Sequence, residues 1–191
     1  MGKVIVLIST TSDGFAESQH VIIDPEFFEF AHSLLSVSEV VLFGRTTFEL
    51  FQERWPERLR DKESPDWVKK MAQSLHDIQK IVFSSTLLET TWNNSEIVNE
   101  LEFEKIKSLK DNTEGALLTF GSLSVLESLI EMDLVDDYYF NIQPLIAGNG
   151  DARFFNKRVL AEPKKLEYVD HHHLNSGAHI IHYRRAEEEV S

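Results

Sequence analysis

The sequence predicts an α/β fold on a largely parallel sheet, made mixed by an antiparallel hairpin near the C-terminus. Three observations predict it. Apolar strand-like runs alternate with helical patterns along most of the chain, the order that gives βαβ units. Gly115 to Phe155 contains one such unit: an apolar run, a glycine turn, a helix and a second strand, with a crossover long enough for parallel pairing. Leu166 to His172 and His179 to Tyr183 flank Asn175-Ser176-Gly177, which reads as a hairpin.

Each element has its own signal. Val4 to Ser9 is nearly continuous in apolar character, as a central strand covered on both faces is. Thr10 to Gly14 has turn chemistry. Asp24-Pro25-Glu26 opens a helix, with Asp24 as N-cap and Pro25 at the first helical position. Phe27, Phe28, Ala31, Leu34 and Leu35 form its apolar face. Val40 to Phe43 is a second buried strand, broken by Gly44-Arg45-Thr46-Thr47, which leads into a short helix through Phe48, Leu50 and Phe51. Trp55 to Pro65 is charged and holds two prolines, which predicts loop. Ser64 is placed as the cap of a helix running to about Leu75.

Lys80 to Phe83 is a third strand, with Ser84-Ser85-Thr86 after it. Ile97-Val98 is a short strand, and Leu101 to Leu109 a helix. Ala116 to Phe120 reads as a buried strand between glycines, and Leu123, Leu126 and Ile130 recur at helical spacing. From Val135 the period becomes two. Tyr138, Phe140 and Ile142 form an apolar face opposite Tyr139, Asn141 and Gln143. Gly148-Asn149-Gly150 forces a turn.

The totals bound the function. The 191 residues fit one domain, placed at 1–185, with an acidic tail at 186–191 that is expected to fray. At 42% hydrophobic residues the chain can bury a sizeable core. It has no cysteine, so disulfides and thiolate metal sites are excluded, and a cytoplasmic setting is expected. A net charge of −13 opposes binding to nucleic acid or to an anionic membrane. No apolar run approaches a membrane span, and the first residues lack the pattern of a signal peptide.

Three loops share one chemistry. Gly44-Arg45-Thr46-Thr47, Ser84-Ser85-Thr86 and Gly121-Ser122-Leu123 each follow the carboxyl end of an apolar strand, where open α/β sheets bind ligands. Glycine, hydroxyls, helix N–H groups and one guanidinium together suit an anion. Taken singly, each loop is also ordinary turn and cap chemistry.

The order SDGF (Ser12 to Phe15), VVLFGRTTFELF (Val40 to Phe51), Trp55-Pro56, KIVFSSTL (Lys80 to Leu87), Trp92-Asn93-Asn94 and the long segment from Gly115 to Phe155 resembles a known family. That family is the reductase domain of the riboflavin-biosynthesis deaminase–reductase, together with its stand-alone bacterial relatives. The resemblance spans nearly the whole chain. It implies the dihydrofolate reductase fold: three layers, with helices on both faces of a mixed, mostly parallel sheet. It also implies an NADPH-dependent reductase acting on a small conjugated ring, pterin- or pyrimidine-like, and commonly a homodimer.

Residue by residue, the resemblance puts Gly44, Arg45, Thr46 and Thr47 at cofactor phosphates. Ser84, Ser85 and Thr86 fall near the adenosine 2′-phosphate, Gly121, Ser122 and Leu123 at the pyrophosphate, and Asp13 and Gly14 near the nicotinamide. One departure stands out. The family usually has two glycines at the pyrophosphate turn, and here the second is Ser122, which could clash with the phosphates or donate to them. The carboxylate expected in the first helix has two candidates, Glu26 and Glu29, of which Glu29 is carried as the catalytic one.

Two other readings stand beside the reductase. One is a non-catalytic nucleotide- or ligand-binding protein that kept the fold. The other is a metal-binding protein using the histidine-rich hairpin. Strand alternation puts His171 and His173 on one face, and a hairpin brings His179 or His182 opposite. No third-ligand spacing completes a motif, so no metal is assigned.

Overall fold

A computed structural model describes residues 2–156 and 158–186. Among these residues eight strands join one sheet in the order β4-β3-β2-β5-β1-β6-β8-β7. These are β1 (Lys3–Thr11), β2 (Ser38–Gly44), β3 (Gln79–Phe83), β4 (Ser95–Val98), β5 (Ala116–Phe120), β6 (Asp137–Gln143), β7 (Leu166–His173) and β8 (His179–Arg185). The first six run parallel, and β8 lies antiparallel to both of its neighbours.

The helices are α1 (Pro25–Ser36), α2 (Arg45–Arg60), α3 (Asp66–Asp77), α4 (Phe103–Asn112) and α5 (Leu123–Glu131). Alternation along each strand builds two cores. Ile5, Leu7, Val41, Phe43 and Leu118 pack against α1, α2 and α3 on one face. Val4, Val6, Ile8, Leu42 and Leu117 pack against α4 and α5 on the other. Crossovers that step from β1 towards β3 carry helices on the first face, and those that step back towards β6 carry them on the second. A single crossover hand requires this division. Among the described residues no helix is long and apolar enough to cross a membrane.

Asp24 caps α1 as expected, accepting the Glu26 N–H at 2.8 Å. Two expectations fail. The segment from Trp55 is not loop to Pro65, because α2 runs on to Arg60 with Pro56 inside it. Proline removes one helical hydrogen bond, but Trp55 one residue earlier packs edge-on against Phe28 and beside Phe51. Tertiary contact there outweighs the local breaker.

Ser64 is not the side-chain cap of α3. Its hydroxyl donates to Asp61 at 3.0 Å, and Pro65 takes the cap position. On the face of β6 opposite Tyr138 and Phe140, the polar side chains of Asn141 and Gln143 are buried. Strand β1 also runs longer than its apolar run, since Thr10 and Thr11 stay paired with β6.

Candidate functional site

Register sets the site. Gly44 pairs with Phe83 across β2 and β3. It also lies three residues beyond the Val41–Leu118 pair, level with Gly121. The three predicted loops therefore leave the sheet at one height, side by side. Strand β5 ends at Phe120 opposite Leu7, whereas β1 continues to Thr11 paired only with β6. From Ile8 onward β1 has lost its neighbour on the β5 side. The carboxyl end of the sheet is thus split at the point where strand order reverses, the usual ligand crevice of such folds.

Helices α2 and α5 start at this height, and each leaves its first-turn amides without intrahelical acceptors. Ser122 ties them together. Its hydroxyl is buried and accepts the Gly44 N–H at 2.7 Å. Ser122 is also the N-cap of α5, but its side chain makes no capping bond there. A Cβ on Gly44 would meet the Ser124 and Ser122 hydroxyls at 2.7 and 2.9 Å. Glycine at 44 and serine at 122 are therefore two halves of one contact.

Gly121 has φ +50°, and a Cβ there would meet nothing within 4 Å. The backbone at this turn faces open space. The serine that departs from the family pattern turns its side chain inward, away from that space.

The other predicted residues divide. Arg45 is exposed at the first turn of α2, in a long 3.4 Å contact with Glu49. Thr46 is exposed beside it and Thr47 half-buried. Ser84 spends its oxygen on its own turn, accepting from the Thr86 and Leu87 amides at 3.2 and 2.9 Å, while Ser85 and Thr86 stay exposed.

Asp13 holds the next loop. It accepts from the Thr11 hydroxyl at 2.6 Å and from the Ala147 and Gly148 amides at 3.0 and 2.8 Å. These donors, Thr11 foremost, hold its carboxyl down at about 2. Gly14 at φ +89° then turns the chain so that Phe15 bridges to Arg153.

Glu29 does not join this group. It lies exposed in an outer groove of about 380 Å³ between α1 and α3, with Phe28, His32, Asp66, Trp67 and Lys70. Glu26 accepts from the backbone and side chain of Asn175, anchoring the hairpin turn to α1.

Two contributors were not legible in the sequence. Glu17 accepts the Asp151 and Ala152 amides, Ala152 being foremost in lowering its pKa, and so zips the loop after β1 to the segment after β6. Asn141 bonds the Ser9 hydroxyl at 2.9 Å on the crevice's α1 face. Only the glycines at 148 and 150 hinted at the first: a Cβ on Gly150 would collide with Glu17.

The wall beside Gly121 is aromatic. Phe120 stacks on Phe51, which neighbours Trp55, which meets Phe28. The arrangement offers amides, hydroxyls and a guanidinium for an anion, next to a wall that suits a flat ring.

Comparison with known proteins agrees with this fold. A model of the RibD C-terminal domain matches residues 2–180. YyaP of Bacillus subtilis (strain 168), an uncharacterized protein, is 27% identical over 188 residues, covering 95% of this chain and 94% of its own. A putative riboflavin biosynthesis protein from Shewanella sp. PV-4 superposes with a TM-score of 0.69 at 16% identity, over 97% of this chain and 99% of that one. A pyrimidine reductase-like protein from Corynebacterium diphtheriae gives 0.66 at 12% identity, over 97% and 92%. Dihydrofolate reductase from Enterococcus faecalis, solved with NADP(H) and RAB-propyl, gives 0.62 at 17% identity, over 97% of each chain. These structural likenesses show a shared fold.

Proposed function

The chain belongs to the family of RibD C-terminal domains, and we propose on that premise that it is an NADPH-dependent reductase of a small, flat, conjugated substrate. The observation that carries the reading is the 2.7 Å bond from the Gly44 amide to Ser122, which sets the N-termini of α2 and α5 side by side. The open turn at Gly121 fits a close-lying pyrophosphate, and Arg45 adds a forked cation.

In this reading Gly121, Ser122 and Leu123 present backbone amides to the pyrophosphate, and Arg45, Thr46 and Thr47 the α2 side of the same cradle. Ser85 and Thr86 are free to reach the ribose phosphate, with Ser84 shaping their turn. Asp13 and Gly14 fix the loop over the β1 edge, where the ring would lie. Bound NADPH supplies the hydride; the protein supplies position and electrostatics. The aromatic wall from Phe120 to Phe28 supports a planar substrate, pterin- or pyrimidine-like.

The test is a titration with NADPH and with NADH, following quenching of tryptophan fluorescence. Saturable binding of NADPH, with oxidation at 340 nm for some member of a panel of dihydropterins, pyrimidines and quinones, is expected. No binding of either nucleotide at millimolar concentration would sink the reading.

A second reading keeps one observation: Glu29 and Glu26 both lie away from the crevice or are already engaged. NADPH binding without turnover across the panel would favour a ligand-binding protein that kept the fold. The reading also includes a homodimer formed through the exposed β7 edge, since a bare edge needs cover; light scattering tests it.

A further inference from the structure

We propose that His173 and His179 form a binding site for one divalent ion of the zinc, nickel or copper class. The two residues are register partners across β7 and β8, at the last pair before the hairpin turn. Both side chains are exposed, and they stand on the sheet face opposite to His172, whose ring packs on Phe30 of α1. Nδ1 of His173 and Nε2 of His179 approach to 3.3 Å.

That spacing has a specific meaning for a metal. Zinc–imidazole bonds of about 2.05 Å to two nitrogens this far apart enclose an angle of about 107° at the ion, close to tetrahedral. Without an ion, two nitrogens at this distance can share only a single proton. Imidazole nitrogens select zinc, nickel and copper over magnesium and calcium, which take oxygen ligands.

The strands on which the pair stands are fixed. The turn is closed by Leu174 donating to Ala178 and Gly177 donating to Leu174, both at 2.9 Å. The Glu26 carboxylate pins Asn175 from α1. Little reorganisation is therefore needed to bring the second ligand to the first. Among the described residues no group of three or more His, Cys, Asp or Glu gathers around an ion position. His171, on the same face, is engaged through Nδ1 with the Tyr168 hydroxyl at 2.8 Å. The site thus has two protein ligands and leaves the remaining positions to water or to a small anion.

The experiment is a zinc chloride titration by calorimetry on protein purified without a polyhistidine tag. The expected result is one ion per chain. His173→Ala and His179→Ala should each weaken binding by at least ~10-fold, since each removes half of the protein ligands. His32→Ala on α1 should leave it unchanged. Because both residues are exposed, His173→Gln and His179→Gln give a second pair of variants that preserve a polar surface, with circular dichroism to confirm folding. In the wild type, zinc should shift the imidazole resonances of these two histidines and raise the melting temperature; in the double variant it should do neither. No saturable binding below millimolar zinc, or binding unchanged in the double variant, would overturn the proposal. Nucleotide titration of the same variants should be unaffected, which separates this site from the crevice.

Discussion

The buried hydroxyl of Ser122 accepts the backbone N–H of Gly44 at 2.7 Å, across 78 residues of sequence. It fixes the relative position of two helix N-termini, and it accounts for both residue types at once.

Ser122→Ala should lower stability by about 1–3 kcal/mol, because a buried N–H loses its acceptor. Urea denaturation measures it. Gly44→Ala should cost a similar amount by overpacking, about 1–3 kcal/mol. The two changes together should cost less than their sum, since removing the Ser122 hydroxyl vacates part of the space the new methyl needs. Strict additivity would mean that the contact does not couple the two sites.

Arg45→Ala should weaken NADPH binding by about tenfold, roughly 1.4 kcal/mol, by removing a charge-assisted contact to phosphate. Glu49→Gln should act the other way by releasing the guanidinium from its 3.4 Å partner. Fluorescence titration at two salt concentrations checks both, and the Arg45 effect should shrink at high salt. An unchanged affinity in Arg45→Ala would remove Arg45 from the cofactor site.

Glu29→Gln should leave NADPH affinity unchanged, because the outer groove between α1 and α3 lies apart from the strand-end loops. A marked fall in turnover with intact binding would instead make Glu29 the proton-supplying carboxylate implied by the family resemblance.

Asp13 carries an acid-sensitive loop clasp. Its carboxyl sits at about 2 in the folded protein, against 3.8 ordinarily. A depressed folded value means the unfolded chain binds the proton more readily. The contribution to stability is therefore full above 3.8 and is lost as pH falls towards 2. Asp13→Asn should abolish that part of the acid dependence. Hydrogen exchange at Ala147 and Gly148 should also quicken in the variant, and unaltered exchange would exclude the clasp.

Lys80 gives a dependence of the same sign in the alkaline range. It is fully buried, donates to the Leu75, His76 and Ile78 carbonyls and faces the Trp92 ring at 4.8 Å. Burial brings its pKa from 10.5 down to about 8. Between pH 8 and 10.5 the unfolded chain holds more protons, so this group's contribution to stability rises with pH, by an amount on the order of 3 kcal/mol. The difference in urea midpoint between wild type and Lys80→Met should widen in favour of the wild type over that window. A flat difference would mean that the three carbonyls keep the ammonium charged.

Much of the fold was written locally. Continuous apolar runs such as Val40 to Phe43, the cap at Asp24 and the glycines at 44 and 121 each act within a few residues, so period and turn chemistry expose them. The strand-end placement of the three loops followed from the same reasoning, because a parallel sheet sends all its carboxyl ends to one side. Register, burial and long-range partners were decided only by tertiary structure. Pro56 stays inside α2 because Trp55 packs on α1. Asn141 and Gln143 are buried where Ser9 of β1 and the Ile22 amide meet their side chains. Ser122 reads in the sequence as a departure from a glycine pair; only the folded chain turns its hydroxyl inward to the Gly44 amide. A side chain's direction depends on which surface meets it, and local sequence does not contain that surface.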